Sequence, residues 1–370
     1  MKVEWKTLDT FLDYEQPTPY LVQSTEYDNS YATPVLTAGQ SLLLGYTNEK
    51  NGIYKADKNN PCIIFDDFTT SFHWVDYCFK VKSSAMKMLR PRKGVNFRYV
   101  YHAMRCINFV PGSHQRHWIS KYSHFLIPNP TLPEQQRIVE ILDSFTNSIE
   151  NLTQQIAERK KQYELYRDKL LESEMGKGVE MKTLGEVGTF IRGTGIQKSD
   201  FVEDGFGCIH YGQIHTKYGL SATETISKIS EQLYKKSKKA ETGDIVLATT
   251  SEDAKGVAKP VAWLGDESIA VSGDAYIFHH NQNGKFMAYL FSSHRFCLFK
   301  IAHAAGAKVV RITGDNMTKF AFPLPPLTEQ QRIVENLDVF VASIKNLEGQ
   351  LELRQKEYEY YRNKLLTFDK

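Results

Sequence analysis

One stretch of this chain occurs twice, and it limits the possible folds more than any other feature. From Ile127 the sequence runs IPNPTLPEQQRIVEILDSFTNSIENLTQQIAERKKQYELYRDKLLES; from Phe322 it runs FPLPPLTEQQRIVENLDVFVASIKNLEGQLELRQKEYEYYRNKLLTF. The offset is a constant 195 positions without a gap, and 27 of the 47 paired positions are identical. The densest block, EQQRIVE, falls at Glu134–Glu140 and Glu329–Glu335. A repeat this long dictates the architecture.

Each copy predicts one long helix. Proline ends at Pro133 in the first copy and at Pro326 in the second, and proline suits a helix start but not its interior. The roughly 40 proline-free residues that follow would form a rod of about 60 Å. Apolar residues follow a 3,4 alternation: Leu142, Phe145, Ile149, Leu152, Ile156, Tyr163, Tyr166 and Leu170, then Leu337, Phe340, Ile344, Leu347, Leu351, Tyr358, Tyr361 and Leu365. That is a heptad seam, the signature of two helices wound together. Both seams are interrupted at the same place, by Arg159 and Arg354. A polar residue there either fixes register or extends its head to solvent.

At 370 residues the chain suggests two or three domains. It has no run of 18 apolar residues and no apolar signal segment at MKVEWKTLDTF. Its cysteines (Cys62, Cys78, Cys106, Cys208, Cys297) are scattered without a CxxC, which argues for a reducing cytoplasm and against a disulfide framework or zinc site. The net charge of +3 is unevenly divided. The two helical repeats carry −2 and −1, whereas the rest holds 34 basic against 28 acidic residues. Basic globular parts on near-neutral rods fit an anionic partner such as nucleic acid.

The globular stretches alternate short apolar runs with turn residues. Strands are expected at Tyr20–Val22, Pro34–Thr37, Leu42–Tyr46, Cys62–Phe65 and Val75–Val81, and a helix at Val95–Ile107. The second stretch predicts strands at Cys208–Ile214, Asp244–Thr250 and Ser268–Gly273, and a helix at Gly284–Lys300. VEWKTL at Val3–Leu8 matches VEMKTL at Val179–Leu184, so the chain reads as a tandem duplication whose two inserts have diverged. A scaffold kept alike around two unlike inserts suggests one task performed on two targets.

This arrangement resembles the specificity subunit of type I restriction-modification systems. The resemblance spans essentially the full length. It is carried by the lead-in Pro323–Glu335, its weaker form Pro128–Glu140, the two rods and the two unlike inserts. Asn129 and Thr131 depart from Leu324 and Pro326 of the second copy without disturbing the junction. The fold implied is α+β: two α/β target-recognition domains alternating with two long antiparallel coiled-coil helices, a pseudo-twofold tandem duplication. The expected segments are 1–132 and 177–326 for the recognition domains, and 133–176 and 327–370 for the spacer helices. The resemblance also implies the partners: double-stranded DNA read as an asymmetric bipartite target, two methyltransferase subunits that methylate adenine, and restriction/translocase subunits. The chain itself would be non-catalytic and cytoplasmic and hold no cofactor or metal. S-adenosylmethionine, ATP and Mg would belong to the partners.

Base edges call for Arg, Lys, Asn and Gln, and phosphates for Lys, Arg, Ser, Thr and backbone amides. In the first insert the loop Gly112–Trp118 offers Ser113, His114, Gln115 and Arg116; Thr37–Ser41 offers Thr37, Gly39 and Gln40; Phe65–Ser71 offers Asp67 and Thr69. In the second insert the candidates are Tyr211, Gln213, His215 and Lys217, then Thr250, Ser251, Glu252 and Lys255, then Lys308 and Arg311. The bland reading of each is a solvated turn.

Other chemistries fit poorly. RGTG at Arg192–Gly195 lacks GxGxxG spacing, Asn129-Pro130-Thr131 is no methyltransferase motif, and there is no GxxxxGK[ST] loop. The triplets Glu4/Lys6 and Glu180/Lys182 sit inside the repeated VExKTL and lack a metal-binding aspartate upstream. His114 and His117 are three apart, and His279 and His280 are adjacent, but neither pair has a third ligand at metal spacing. Lys235–Lys239 is the densest basic run and suits either phosphate or solvent. The alternative class is a stand-alone DNA-binding regulator or coiled-coil adapter. Two equal intramolecular heptad copies, which can pair with each other, argue against it.

Overall fold

The structure, a computed structural model, describes residues 3–39, 41–112, 115–173, 179–306 and 309–368. Two compact units share the chain: unit 1 joins Met1–Thr153 to Gly349–Lys370, and unit 2 is Gln154–Glu348. The long helices are Leu132–Ser173 and Leu327–Leu366. Each unit therefore holds about half of each long helix. No helix is long and apolar enough to cross a membrane.

The repeated EQQRIVE block folds the same way in both copies, and four of its positions have a clear physical task. Glu134 pairs with Arg137 one turn on at 2.6 Å, and Glu329 with Arg332 at 2.5 Å. These carboxylates also favour the positive end of the helix dipole. The next residue is buried: Gln135 is 4% exposed and Gln330 0%. Gln135 Nε2 donates to the Pro130 carbonyl at 2.9 Å, and Gln330 Nε2 to the Pro325 carbonyl at 2.8 Å. Each glutamine thereby satisfies a carbonyl of the proline lead-in that has no helical partner. Ile138 and Ile333 enter the cores at 0% exposure.

The long helices pair antiparallel inside each unit. In unit 1 Phe145 stacks on Tyr361 at a ring separation of 5.3 Å, and the Arg354 guanidinium lies 5.6 Å over Phe145. In unit 2 the duplicated partners meet: Tyr166 lies 5.2 Å from Phe340, and Arg159 sits 5.9 Å over that ring. The polar break in each seam thus meets an aromatic face of the other helix, a cation–π arrangement. Leu142 and Leu337 are fully buried, whereas Tyr166 and Tyr361 are each 39% exposed.

In unit 1 a four-stranded antiparallel sheet runs in the order Leu12–Glu15, Met86–Pro91, Cys62–Asp66, Phe72–Val75. A three-stranded sheet holds Leu43–Thr47, Thr33–Leu36 and Lys80–Val81. Unit 2 carries two five-stranded sheets. One is centred on Ile245–Ala248 between Lys259–Trp263 and Ala275–His280; the other contains Phe206–Ile209 and Ile269–Val271. The repeated VExKTL strands pair alike: Glu4–Thr7 against Leu126–Asn129, and Glu180–Thr183 against Ala321–Leu324. Within them Lys6 pairs with Glu4 at 3.0 Å and Lys182 with Glu180 at 2.6 Å, so the E-x-K triplets neutralise themselves.

Several expected elements come out differently. Tyr20 ends a 3-10 turn, Thr18–Tyr20, and Leu21 makes one bridge to Val81 instead of a strand. Val75–Val81 divides into the ends of two strands, Phe72–Val75 and Lys80–Val81. Cys208–Ile214 is half strand and half helix: Phe206–Ile209 ends and His210 caps the helix Tyr211–Thr216. The helix expected at Gly284–Lys300 is two, Gly284–Phe291 and His294–His303, because Ser293 accepts from the Phe296 amide and starts a new helix.

The diverged inserts conceal a third repeat. The short helix Phe97–Met104 is capped by Asn96, and Gly284–Phe291 by Asn283. Asn96 Nδ2 donates to Gln136 at 3.4 Å and Asn283 Nδ2 to Gln331 at 2.8 Å. Two residues on, Arg98 donates to Asp143 at 2.7 Å and Lys285 to Asp338 at 2.6 Å. Four further on, His102 meets Asp143 at 2.8 Å and Tyr289 donates to Asp338 at 2.7 Å. Burial drives the His102 pKa below its usual value, despite the carboxylate beside it. Burial opposes ionisation of Asp143, but hydrogen bonds from His102 and Arg98 win and hold its pKa below the ordinary carboxylate range.

Candidate nucleic-acid interface

In unit 1 three loops separated in sequence are tied into one surface. The centre is the turn after strand Cys62–Asp66. Asp66 Oδ1 accepts from the amides of Phe68 and Thr69, both at 2.8 Å. Ser71 Oγ donates to the Ala38 carbonyl, and His73 Nε2 donates to the Gly39 carbonyl at 2.8 Å, which joins the 37–41 loop to this turn. On the other side the His117 amide donates to the Asp67 carbonyl and the Trp118 amide to Asp67 Oδ1, each at 2.8 Å. Thr69, Gln115 and Arg116 remain exposed. Thr37 spends its hydroxyl on the Ser41 carbonyl at 2.6 Å. Gln40, Ser113 and His114 lie outside the described residues.

Asp67, a candidate of the Phe65–Ser71 loop, is buried. Its side chain is 1% exposed and lies 3.0 Å from Lys87, itself 1% exposed. Both carboxylate oxygens face inward, one to Lys87 and one to the Trp118 amide. Asp67 thus anchors the two loops to each other. A buried charge is tolerated only when paired in this way.

In unit 2 three candidate segments converge as well. The strand Thr250–Ser251 pairs antiparallel with Val310–Arg311, with Thr250 opposite Arg311. His215 Nε2, from the helix Tyr211–Thr216, donates to the Thr250 carbonyl at 2.9 Å, and Lys259 Nζ donates to the His215 carbonyl at 3.2 Å. The loop after Ser251 is closed by the Gly256 amide donating to Asp253. From beneath, Lys300, 6% exposed, donates to the carbonyls of Lys255 and Val257, the latter at 2.8 Å. The outward side chains include Lys217, Glu252, Asp253, Lys255 and Arg311. Three cations against two carboxylates leave a small positive excess, which suits phosphate. Lys308 lies outside the described residues.

Two other candidates of unit 2 turn inward. Gln213 donates to Ser227 at 2.7 Å and accepts from the His210 amide, so its amide group is spent within the fold. Thr250 is 7% exposed, and its hydroxyl is buried without a partner. Tyr211 is partly buried against His210 at 4.7 Å. Of the decoys, His279 pairs with the buried Asp244 at 2.6 Å, and Lys235 pairs with Glu231 at 2.6 Å.

Unit 1 also contains a groove of about 1130 Å³ between its short helix and the long helices. Its basic residues, Lys58, Arg98, Arg105 and Arg362, face Asp76, Asp143, Glu150 and Glu359. Balanced charge gives it no net attraction for a polyanion, so the joined loops are the better interface.

Sequence reasoning missed Lys87 and Lys300, which lie behind the contact loops, and Asp143 and Asp338, which receive the short helices. The available signals were a lysine within the apolar run MKML at Met86–Leu89 and another among Phe296, Phe299 and Ile301.

A two-unit α+β chain with paired antiparallel helices and one polar loop surface per unit defines the class of tandem DNA-specificity proteins. Residues 2–160 and 176–354 match the family described as type I restriction modification DNA specificity domain, and the chain belongs to that family. It is 38% identical over 387 aligned residues to the EcoR124I/EcoR124II type I restriction enzyme specificity subunit of Escherichia coli, covering 100% of this chain and 95% of that one. A putative type I restriction enzyme specificity subunit from Haemophilus influenzae is 29% identical, covering 99% of this chain and 96% of that one. Among solved structures, the S subunit of a type I restriction-modification system from M. genitalium superposes with a TM-score of 0.60 at 15% identity, covering 100% and 98% of the two chains. A chain from a study of assembly and conformational transition of the type I system gives 0.55 at 16% identity, with full coverage of both. These two likenesses concern the fold.

Proposed function

We propose that the chain is the non-catalytic subunit that tells a type I restriction-modification complex which DNA to act on. The recognition segments, 1–132 and 177–326, each read one half of an asymmetric bipartite target. The helices, 133–176 and 327–370, set the gap between the halves and carry two adenine methyltransferase subunits, through which a restriction/translocase subunit joins. S-adenosylmethionine, ATP and Mg are held by those partners.

One observation carries this reading. Two readers with unlike contact loops hang from equivalent sockets, Asp143 and Asp338, on a repeated helix. The equivalence of the sockets suits one partner type bound twice, and the unlike loops suit two different half-sites. Symmetric docking of dissimilar readers predicts an asymmetric target.

The test is exchange of residues 1–130 for those of a relative, followed by long-read mapping of methylated adenines in cells that also carry the methyltransferase. One half of the motif is expected to change while the gap and the other half stay. A changed gap, or a continuous palindromic motif from the parent, would remove the two-reader assignment.

A further inference from the structure

The two readers share almost no sequence, yet each solves the same mechanical problem in the same manner. Among the described residues, the non-glycine positions with positive φ are Thr70, at 59°, and Ala258, at 54°. Thr70 lies in the contact turn of unit 1, and Ala258 closes the contact loop of unit 2. A β-branched or methyl side chain in this region is strained and persists only where its surroundings over-determine it.

The strained residues are held by backbone bonds, the Thr70 amide donating to the Asp66 carbonyl at 3.0 Å and the Ala258 amide to the Ala248 carbonyl at 2.7 Å, and beside each a buried lysine fixes the adjoining loop. Lys87 holds Asp67 at 3.0 Å and the Gln16 amide oxygen at 3.3 Å. Asp67 then fixes the amide of Trp118, so one ammonium locks two loops. Lys300 grips the carbonyls of Lys255 and Val257, immediately before Ala258. Burial holds its pKa below the ordinary lysine range. For stability alone, a packed apolar residue generally serves as well as a buried charge. The two lysines come from unrelated elements, a strand and a helix, and both end beneath candidate contact loops.

We infer that Lys87 and Lys300 are positioning residues for DNA readout, each setting discrimination at its own half of the target. The inference rests on the function proposed above. Neither lysine touches the ligand; each fixes the loop that does.

The test uses the full chain bound to its methyltransferase partner. The probes are a duplex carrying the motif mapped for the parent complex and two further duplexes, each with one half scrambled. Lys87→Met combined with Asp67→Leu replaces a buried ion pair by an apolar pair, which cores tolerate, while removing the clamp on Trp118. This variant should lose about tenfold or more in discrimination at one half only. Affinity for the scrambled duplexes and its salt dependence should stay unchanged. Lys300→Met should do the same at the other half, and Lys300→Arg should restore part of the discrimination. Folded variants that keep the parent's discrimination, or lose it equally at both halves, overturn the inference. A parent complex with no sequence preference at all would instead overturn the DNA-reading function, a result visible before any variant is made.

Discussion

Lys285, on a short helix of the second reader, donates to Asp338 of the long helix at 2.6 Å, and its place in the first reader is taken by Arg98 on Asp143 at 2.7 Å. The aspartates are 195 residues apart, whereas the basic residues are 187 apart. Segments of unequal length and structure therefore separate each reader's docking helix from the rod that receives it.

Removing either aspartate should loosen one reader. Asp143→Ala leaves Arg98 and His102 without their acceptor, and Asp338→Ala does the same to Lys285 and Tyr289. Each should cost about 1–3 kcal/mol, with Asn less damaging than Ala because it still accepts. Urea unfolding monitored by tryptophan fluorescence checks this; no loss in either variant would show that the sockets are ornamental.

Gln330 should resist its closest isostere. It donates to the Pro325 carbonyl and to Gln282, both at 2.8 Å, and accepts from the Asn283 amide at 3.0 Å. Gln330→Glu places a fully buried carboxylate against two oxygen acceptors. A loss of about 2 kcal/mol or more is expected at pH 7, shrinking in acid as the new carboxyl protonates. Thermal melts at both pH values read it directly.

Stability should fall in mild acid. Burial pushes His280 down to about 4. The folded state then binds fewer protons than the unfolded chain, whose histidine titrates near 6.5. Its contribution is complete above about pH 6.5 and is lost as pH falls from there toward 4, at most about 3 kcal/mol. His102, also driven down by burial, adds in the same direction. His280→Asn keeps an acceptor for the Gln282 amide, which His280 Nδ1 now provides at 3.1 Å, but cannot titrate. Its pH–stability curve should be flatter; an unchanged slope would assign the acid loss elsewhere.

Arg311 is the most exposed test of the interface. If it meets phosphate, Arg311→Ala should weaken all duplexes alike and reduce the log–log salt slope by about 1. If it meets a base edge, discrimination at one position should relax with the slope unchanged. No effect on either would move the interface away from the strand pair that Arg311 forms with Thr250.

The long helices were legible in the sequence because a 3,4 apolar alternation over 40 residues has few other solutions. That they pair within the chain followed from there being two copies; the antiparallel sense was what the resemblance to type I specificity subunits implied. The readers were less legible for local reasons. Cys208–Ile214 reads as a strand from its apolar ends, and only His210 and Gln213, which cap the helix reciprocally, mark where strand becomes helix. Ser292 and Ser293 break a helix that apolar spacing runs straight through. The three-residue pattern Asn96, Arg98, His102 is too sparse to stand out until contacts align it with Asn283, Lys285, Tyr289. Asp67's inward orientation was not legible because sequence does not distinguish an aspartate facing solvent from one facing a buried lysine.

The division of the chain has a consequence for its synthesis. The core of unit 1 includes Tyr358 and Leu366 alongside Leu8, Phe97 and Leu142. The ribosome makes the first reader early but its closing segment only after all of unit 2. Until then, the surface awaiting Gly349–Lys370 stays open while unit 2 can assemble from contiguous sequence. Contacts spanning more than 200 residues close slowly, and unfinished apolar surface aggregates. The nascent first reader is thus the part of the chain with most to gain from a chaperone or an early-arriving partner.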